Sequence, residues 1–107
     1  MYKNIEKKKI LDLKEQVQYL EGQVVSKTLV QNDMVSVTIF SFDKNEEIST
    51  HSSDGDAMVT VLEGKGKFTI NGEEYILEAG QTIIMPKNEP HSVYGEERFK
   101  MLLVVSF

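Results

Sequence analysis

The chain has no cysteine in its 107 residues. That single absence excludes disulfide bridges, thiolate zinc sites, iron–sulfur clusters and a cysteine nucleophile. Long hydrophobic runs are missing too: no segment approaches the roughly 20 apolar residues that a membrane span requires. The first ten residues are charged and have no apolar stretch behind them, so no secretory signal is expected and a cytoplasmic location is the default. Basic residues are outnumbered, 12 against 17 acidic, for a formal charge of −5. This balance opposes nucleic-acid phosphates and anionic lipid surfaces, so neither nucleic acid nor membrane is expected as a partner. The one basic cluster, Lys7-Lys8-Lys9, is short and has no interleaved aromatics, which reads as a solvated flank. Histidine occurs only twice.

What remains is an ordinary globular composition, 40% hydrophobic and 27% charged, at a length that closes one core and one domain. Ile10, Leu13, Val17 and Leu20 recur at steps of three to four, which predicts a short helix ending before Gly22. After it the pattern turns to strands. Val24–Val30 and Met34–Phe42 are rich in β-branched residues and are separated by an Asn32-Asp33 turn. Ala57–Glu63, Gly66–Ile70, Glu74–Leu77, Thr82–Met85, Ser92–Tyr94 and Phe99–Phe107 complete roughly eight or nine short strands, the spacing expected of a β-sandwich or barrel. Asn71-Gly72 is the strongest hairpin signal, because a type I′ turn needs positive φ at both central residues. Gly64-Lys65-Gly66 reads as a tight turn between strands; no helix follows it, which argues against a phosphate loop. Met34, Met58, Met85 and Met101 lie on separate strands and read as flexible core filler. Glu46-Glu47 and Glu96-Glu97-Arg98 read as solvated loop charges.

The two histidines both sit beside turn chemistry. His51 opens Thr50-His51-Ser52-Ser53-Asp54-Gly55-Asp56, and His91 closes Gly80-Gln81-Thr82-Ile83-Ile84-Met85-Pro86-Lys87-Asn88-Glu89-Pro90-His91. With the strand running into Leu62-Glu63-Gly64 and the Gly-x5-Pro-x4-His run from Gly80, the chain resembles the cupin superfamily, in particular its small single-domain bacterial members of the conserved-barrel type. The likeness spans roughly residues 23–105. It implies an all-β jelly-roll, or double-stranded β-helix, barrel over residues 23–107, preceded by a helical or extended segment over residues 1–22.

Cupin motifs usually supply three histidines and a glutamate to a divalent metal. By that resemblance His51 matches the first ligand, Asp56 stands at the glutamate position and His91 matches the last, while Ser53 replaces the second histidine. Asn88 replaces a usual glycine that is not a ligand. Two imidazoles and one carboxylate make a three-ligand site of the type used by non-haem iron enzymes, which also suits manganese, nickel or zinc. Asp56 is one methylene shorter than glutamate, which shortens its reach. The tentative metal set is therefore His51, Asp56 and His91.

Two other readings stand beside the metal. In one, the two imidazoles hydrogen-bond each other, Ser53 or a water and only satisfy buried polar groups. In the other, His51, Ser53, Asp56 and His91, with Tyr94 at the rim, orient a small polar or acidic ligand without a metal. The expected function is accordingly small-molecule binding of undetermined specificity, with a metal-dependent enzyme of dioxygenase or isomerase type as the alternative. A transcriptional sensor ranks third, because no helix-turn-helix region is present. The resemblance also implies a homodimer, with Val24–Val30 and Phe99–Phe107 as interface candidates, since pairing would hide an open sheet edge.

Overall fold

The computed structural model describes residues 1–107 throughout. After a 3-10 turn at Leu13–Glu15 come seven strands: β1 (Val24–Gln31), β2 (Val35–Phe42), β3 (Glu47–His51), β4 (Asp56–Ile70), β5 (Glu73–Glu78), β6 (Thr82–Met85) and β7 (His91–Ser106). All pairings are antiparallel. β4 and β7 pair with each other along nearly their whole length, from Asp56↔Ser106 to Ile70↔His91.

These two long strands belong to both walls of the barrel. In one wall the order is β1, β2, the second half of β7, the first half of β4, then β6; in the other it is β3, the first half of β7, the second half of β4, then β5. The bend between walls falls at register shifts between Val61 and Glu63 and between Gly64 and Gly66. Glycine is required there. Gly64 has φ +79, and a Cβ on it would lie 1.9 Å from the Arg98 carbonyl oxygen; no other residue fits that approach without moving the backbone.

Gly64-Lys65-Gly66 is thus a bulged corner inside one strand, not a turn between two. The runs expected at Ala57–Glu63 and Gly66–Ile70 fuse into β4, and those at Ser92–Tyr94 and Phe99–Phe107 fuse into β7, with Glu96-Glu97-Arg98 inside the latter. β3, which includes Glu47, was not anticipated. The Asn71-Gly72 hairpin is present between β4 and β5, with φ 49 and 82 at its two residues.

The barrel core comprises Phe42, Val59, Val61, Phe68, Phe99 and Met101 with smaller neighbours, all essentially sealed from solvent. The Phe99 ring anchors it, stacked on Phe42 at 4.6 Å and edge-on to Phe68 at 6.0 Å between centroids. Such aromatic pairs contribute about 1 kcal/mol each beyond the area they bury.

A second, smaller cluster lies on the outside of the first wall. Leu29 of β1 and Ile39 of β2 pack there with Val17, flanked by Ile5, Leu13, Val37 and Leu102. Residues 1–23 form a strap over this face. The periodicity from Ile10 to Leu20 marks real packing at Leu13 and Val17, but the only helical turn is Leu13–Glu15 and Ile10 is fully exposed. Sheet side chains pin the strap backbone, Lys100 Nζ donating to Lys14 O at 2.6 Å and Ser41 Oγ to Gln18 O at 2.8 Å, while the strap's own backbone bonds close only tight turns, as from Gln16 N–H to Leu13 O and Gln23 N–H to Leu20 O.

Candidate functional site

The barrel encloses a cavity of about 270 Å³, with eight hydrophobic residues among the twelve that line it. Period-two alternation explains its walls. Along β7 the odd positions face inward, so His91, Val93, Met101, Leu103 and Val105 all reach the cavity. Phe40 from β2, Ile48 from β3, Ala57 from β4 and Met85 from β6 close the remaining sides. The polar groups gather at one end: His51, His91, Ser52 and Ser53.

Strand pairing brings the histidines together. His51, the last residue of β3, sits opposite His91, the first of β7, with ring centroids 4.4 Å apart and the planes at 65°. They do not hydrogen-bond each other. The Nδ1 of His51 lies 2.8 Å from Ser49 O, and the Nδ1 of His91 lies 3.0 Å from Glu89 O. A carbonyl oxygen can only accept, so each Nδ1 carries the proton and each Nε2 presents a lone pair. Neither Nε2 has a partner within the protein, yet no buried side-chain nitrogen is orphaned. The Nε2 of His91, on a side chain otherwise buried, therefore opens onto the cavity. Burial pushes the His91 imidazole below the usual histidine range, against a smaller opposing pull from the Glu89 carbonyl; desolvation disfavours the charged ring.

The other candidates separate. Ser53 lines the cavity, and its Oγ accepts from the Gly55 N–H at 3.2 Å. Asp56 does not line it. Because Ala57, Val59 and Val61 point inward, Asp56 falls on the outward parity of β4, and its Oδ1 accepts the Lys87 N–H at 2.8 Å. Strand parity, more than the missing methylene, keeps this carboxylate from the two imidazoles. Tyr94 also takes the outward parity, next to inward Val93; its hydroxyl donates to Asn45 Oδ1 at 2.7 Å, and Lys67 Nζ lies 4.9 Å from its ring centroid. No three His, Cys, Asp or Glu side chains converge as an ion site anywhere in the chain.

Asp56 instead ties the Pro86–Pro90 loop to the mouth, aided by Asn88, whose N–H donates to Ser53 O at 2.9 Å. Asn88 has φ 65, a left-handed backbone that asparagine tolerates better than most residues, which explains why it can stand where glycine is usual. The loop bearing Ser53 and the loop leading to His91 are thereby locked together.

Sequence reasoning treated Met85 and Met101 as filler; both are buried and also form cavity wall. Counting in twos from His91 would have found Val93, Met101, Leu103 and Val105. The same count fails in β4, where the corner bulges move the inward set from odd positions up to and including Val61 to even ones from Gly66 onward.

Comparison with known proteins agrees with this architecture. The Cupin domain family model matches residues 38–105. The chain is similar to a conserved protein of unknown function from Streptococcus pyogenes, with 50% identity, coverage of 98% of this chain and 92% of that one, and a TM-score of 0.96. A cupin superfamily protein from Desulfitobacterium hafniense shares 29% identity over 100% of this chain and 98% of its own, with a TM-score of 0.95. An uncharacterized protein of Aquifex aeolicus is 29% identical over 92% of this chain and 83% of its own length.

Proposed function

The chain belongs to the cupin family, and from that premise we propose that it binds a small molecule in the barrel cavity, held at the mouth by His51 and His91 with Ser53 beside them. One observation carries this reading. A cavity of about 270 Å³ with apolar walls ends in two imidazoles whose Nε2 atoms have no partner in the protein. Polar atoms serving only the fold are normally satisfied within it; atoms left open in a concave apolar site are the usual means of orienting a ligand. Asp56 and Tyr94 act from outside the cavity, the first by fixing the Pro86–Pro90 loop. Methyl spectra of Met85 and Met101 recorded against a library of small metabolites test the reading. Binders should shift both methyls, and a set with no binder at millimolar concentration would contradict it.

The pattern at the imidazoles supports a second reading, a metal-dependent enzyme. Metal-bound histidines characteristically donate their other ring nitrogen to a carbonyl or carboxylate, as both rings do here. The residues present fit two ligands, not the three that a His51, Asp56 and His91 set would supply, because the Asp56 carboxylate is engaged by Lys87 N–H on the outward side. A manganese, iron, nickel or zinc ion, if held by the two Nε2 atoms, would supply Lewis acidity for dioxygenase or isomerase chemistry. Elemental analysis of protein purified without chelator or affinity tag decides between the readings. Less than about a tenth of an equivalent of any transition metal removes the second.

We also propose that the protein is a homodimer. β7 is flanked by β2 and β4, so Phe99–Phe107 offers a face and no edge. On that face Val37, Val104, Met58 and Ile84 line up across four paired strands, and Met58 and Ile84 are 39% and 57% exposed. β1 is an edge strand, though Lys3 N–H and Asn4 Nδ2 already bond to Leu29 O and Thr28 O along it. Light scattering that finds only a 12.2 kDa species refutes the dimer.

A further inference from the structure

We infer that the ligand of the barrel cavity is a small, uncharged, largely apolar molecule whose polar head is a hydroxyl that donates a hydrogen bond to Nε2 of His91 or His51. This rests on the reading of the cavity as a small-molecule site and names the chemistry that the site accepts.

The inference follows from counting what the cavity offers. Its lining contains no lysine and no arginine. Both imidazole Nδ1 protons are committed to the Ser49 and Glu89 carbonyls, so the rings present lone pairs at their free nitrogens. A ligand carboxylate or phosphate would point its own lone pairs at those atoms. It would also leave water for a chamber with no compensating cation, which is far costlier than desolvating a hydroxyl. The two serines could each donate one neutral hydrogen bond, too little to offset a buried charge. A hydroxyl fits both halves of the site: its proton answers an Nε2 lone pair, and its oxygen can accept from Ser53, whose own oxygen is held by the Gly55 N–H. Beyond that head the walls are Phe40, Met85, Met101, Val93 and Leu103, which reward a compact apolar body. The thioethers of Met85 and Met101 in this lining suit an aromatic ring.

Three one-ring probes with a common tail separate the possibilities: 4-ethylphenol, 4-ethylanisole and 4-ethylbenzoate, added to the full chain after chelator treatment at about pH 8, where the phenol is neutral and the benzoate ionised. The methyls of Met85 and Met101 report cavity occupancy. The phenol should bind at least about tenfold more tightly than either comparator, the size expected of one donor–acceptor pair in an apolar site. One proton meets one Nε2 at a time, so replacing both rings, His51→Ala with His91→Ala, should bring the phenol down to the affinity of the anisole, while His51→Ala alone, at an exposed position, should weaken it several-fold and serves if the double variant folds poorly. Benzoate binding as tightly as the phenol, with the same methyl shifts, overturns the inference and leaves small-molecule binding standing. If none of the probes moves those methyls at millimolar concentration, both fail.

Discussion

The outer face of the wall formed by β1, β2, β7, β4 and β6, and the cavity mouth carried by β3 and the start of β7 in the opposite wall, treat their polar side chains in opposite ways. On the outer face, under the strap, each buried polar group is matched to another. Lys100, 5% exposed, donates to Lys14 O, lies 3.5 Å from the Glu63 carboxylate and stands 4.8 Å from the Tyr19 ring centroid. The Tyr19 hydroxyl donates to the same carboxylate at 3.0 Å, and burial together with Glu63 pushes its phenol above the usual tyrosine range. Ser41, fully buried, donates to Gln18 O. At the cavity mouth the imidazoles keep one nitrogen each uncommitted. The comparison separates roles: polar atoms that close on one another hold the strap to the barrel, and polar atoms left open face the cavity.

Destroying the corner that both faces share should have the largest effect. Gly64→Ala places a methyl against the Arg98 carbonyl at a positive φ and should cost about 3 kcal/mol or more in urea unfolding, with cavity and strap lost together. Lys100→Met comes next. It keeps an apolar stem but loses the bond to Lys14 O and the Glu63 contact, so a loss of about 2 kcal/mol is expected, while the histidine resonances at the mouth stay in place. A shift of those resonances comparable to that of the strap would mean that the two faces are not separable.

His51→Ala sharpens the contrast from the other side. The side chain is exposed and its one bond is to a nearby carbonyl, so stability should change by less than about 0.5 kcal/mol. Binding of 4-ethylphenol should nevertheless weaken several-fold. The smallest effect belongs to the rim of the strap. The Asp43 carboxyl is lowered from its ordinary 3.8 to about 2, first by the Gly22 N–H and then by the Arg98 side chain. A lowered folded-state value means that the contribution is complete above pH 3.8 and disappears as pH falls through about 2. The gap in melting temperature between wild type and Asp43→Asn should therefore be a degree or so at neutral pH and close over that window, since the Arg98 partner is half exposed.

How much of this was legible in the sequence depends on whether local chemistry or tertiary geometry decided each point. The Asn71-Gly72 hairpin was legible because the turn's backbone demands those residues. The pairing of His51 with His91 came through the resemblance in motif order, and the barrel places them opposite each other with their rings edge-on. Asp56 was expected beside the imidazoles and its carboxylate lies on the outward side of β4, because a motif position speaks to spacing and not to which side of the strand a residue takes. Gly64-Lys65-Gly66 looks the same as a turn or as a bulge until its partner strand is known. The helix expected over Ile10–Leu20 shows the same limit: the apolar spacing is genuine, but the segment lies along the sheet with one 3-10 turn, its Lys14 and Gln18 carbonyls accepting from Lys100 of β7 and Ser41 of β2.

The most direct test of open imidazoles facing the cavity is a long-range proton–nitrogen correlation spectrum of the two histidines in chelator-treated protein at about pH 8, where neutral rings dominate. The expected result is that both rings carry their proton on Nδ1, with Nε2 unprotonated in each and displaced on addition of 4-ethylphenol. A ring protonated on Nε2, or a nitrogen pair exchanging a shared proton between His51 and His91, would contradict the account, because the mouth of the barrel would then hold satisfied donors and no open acceptors.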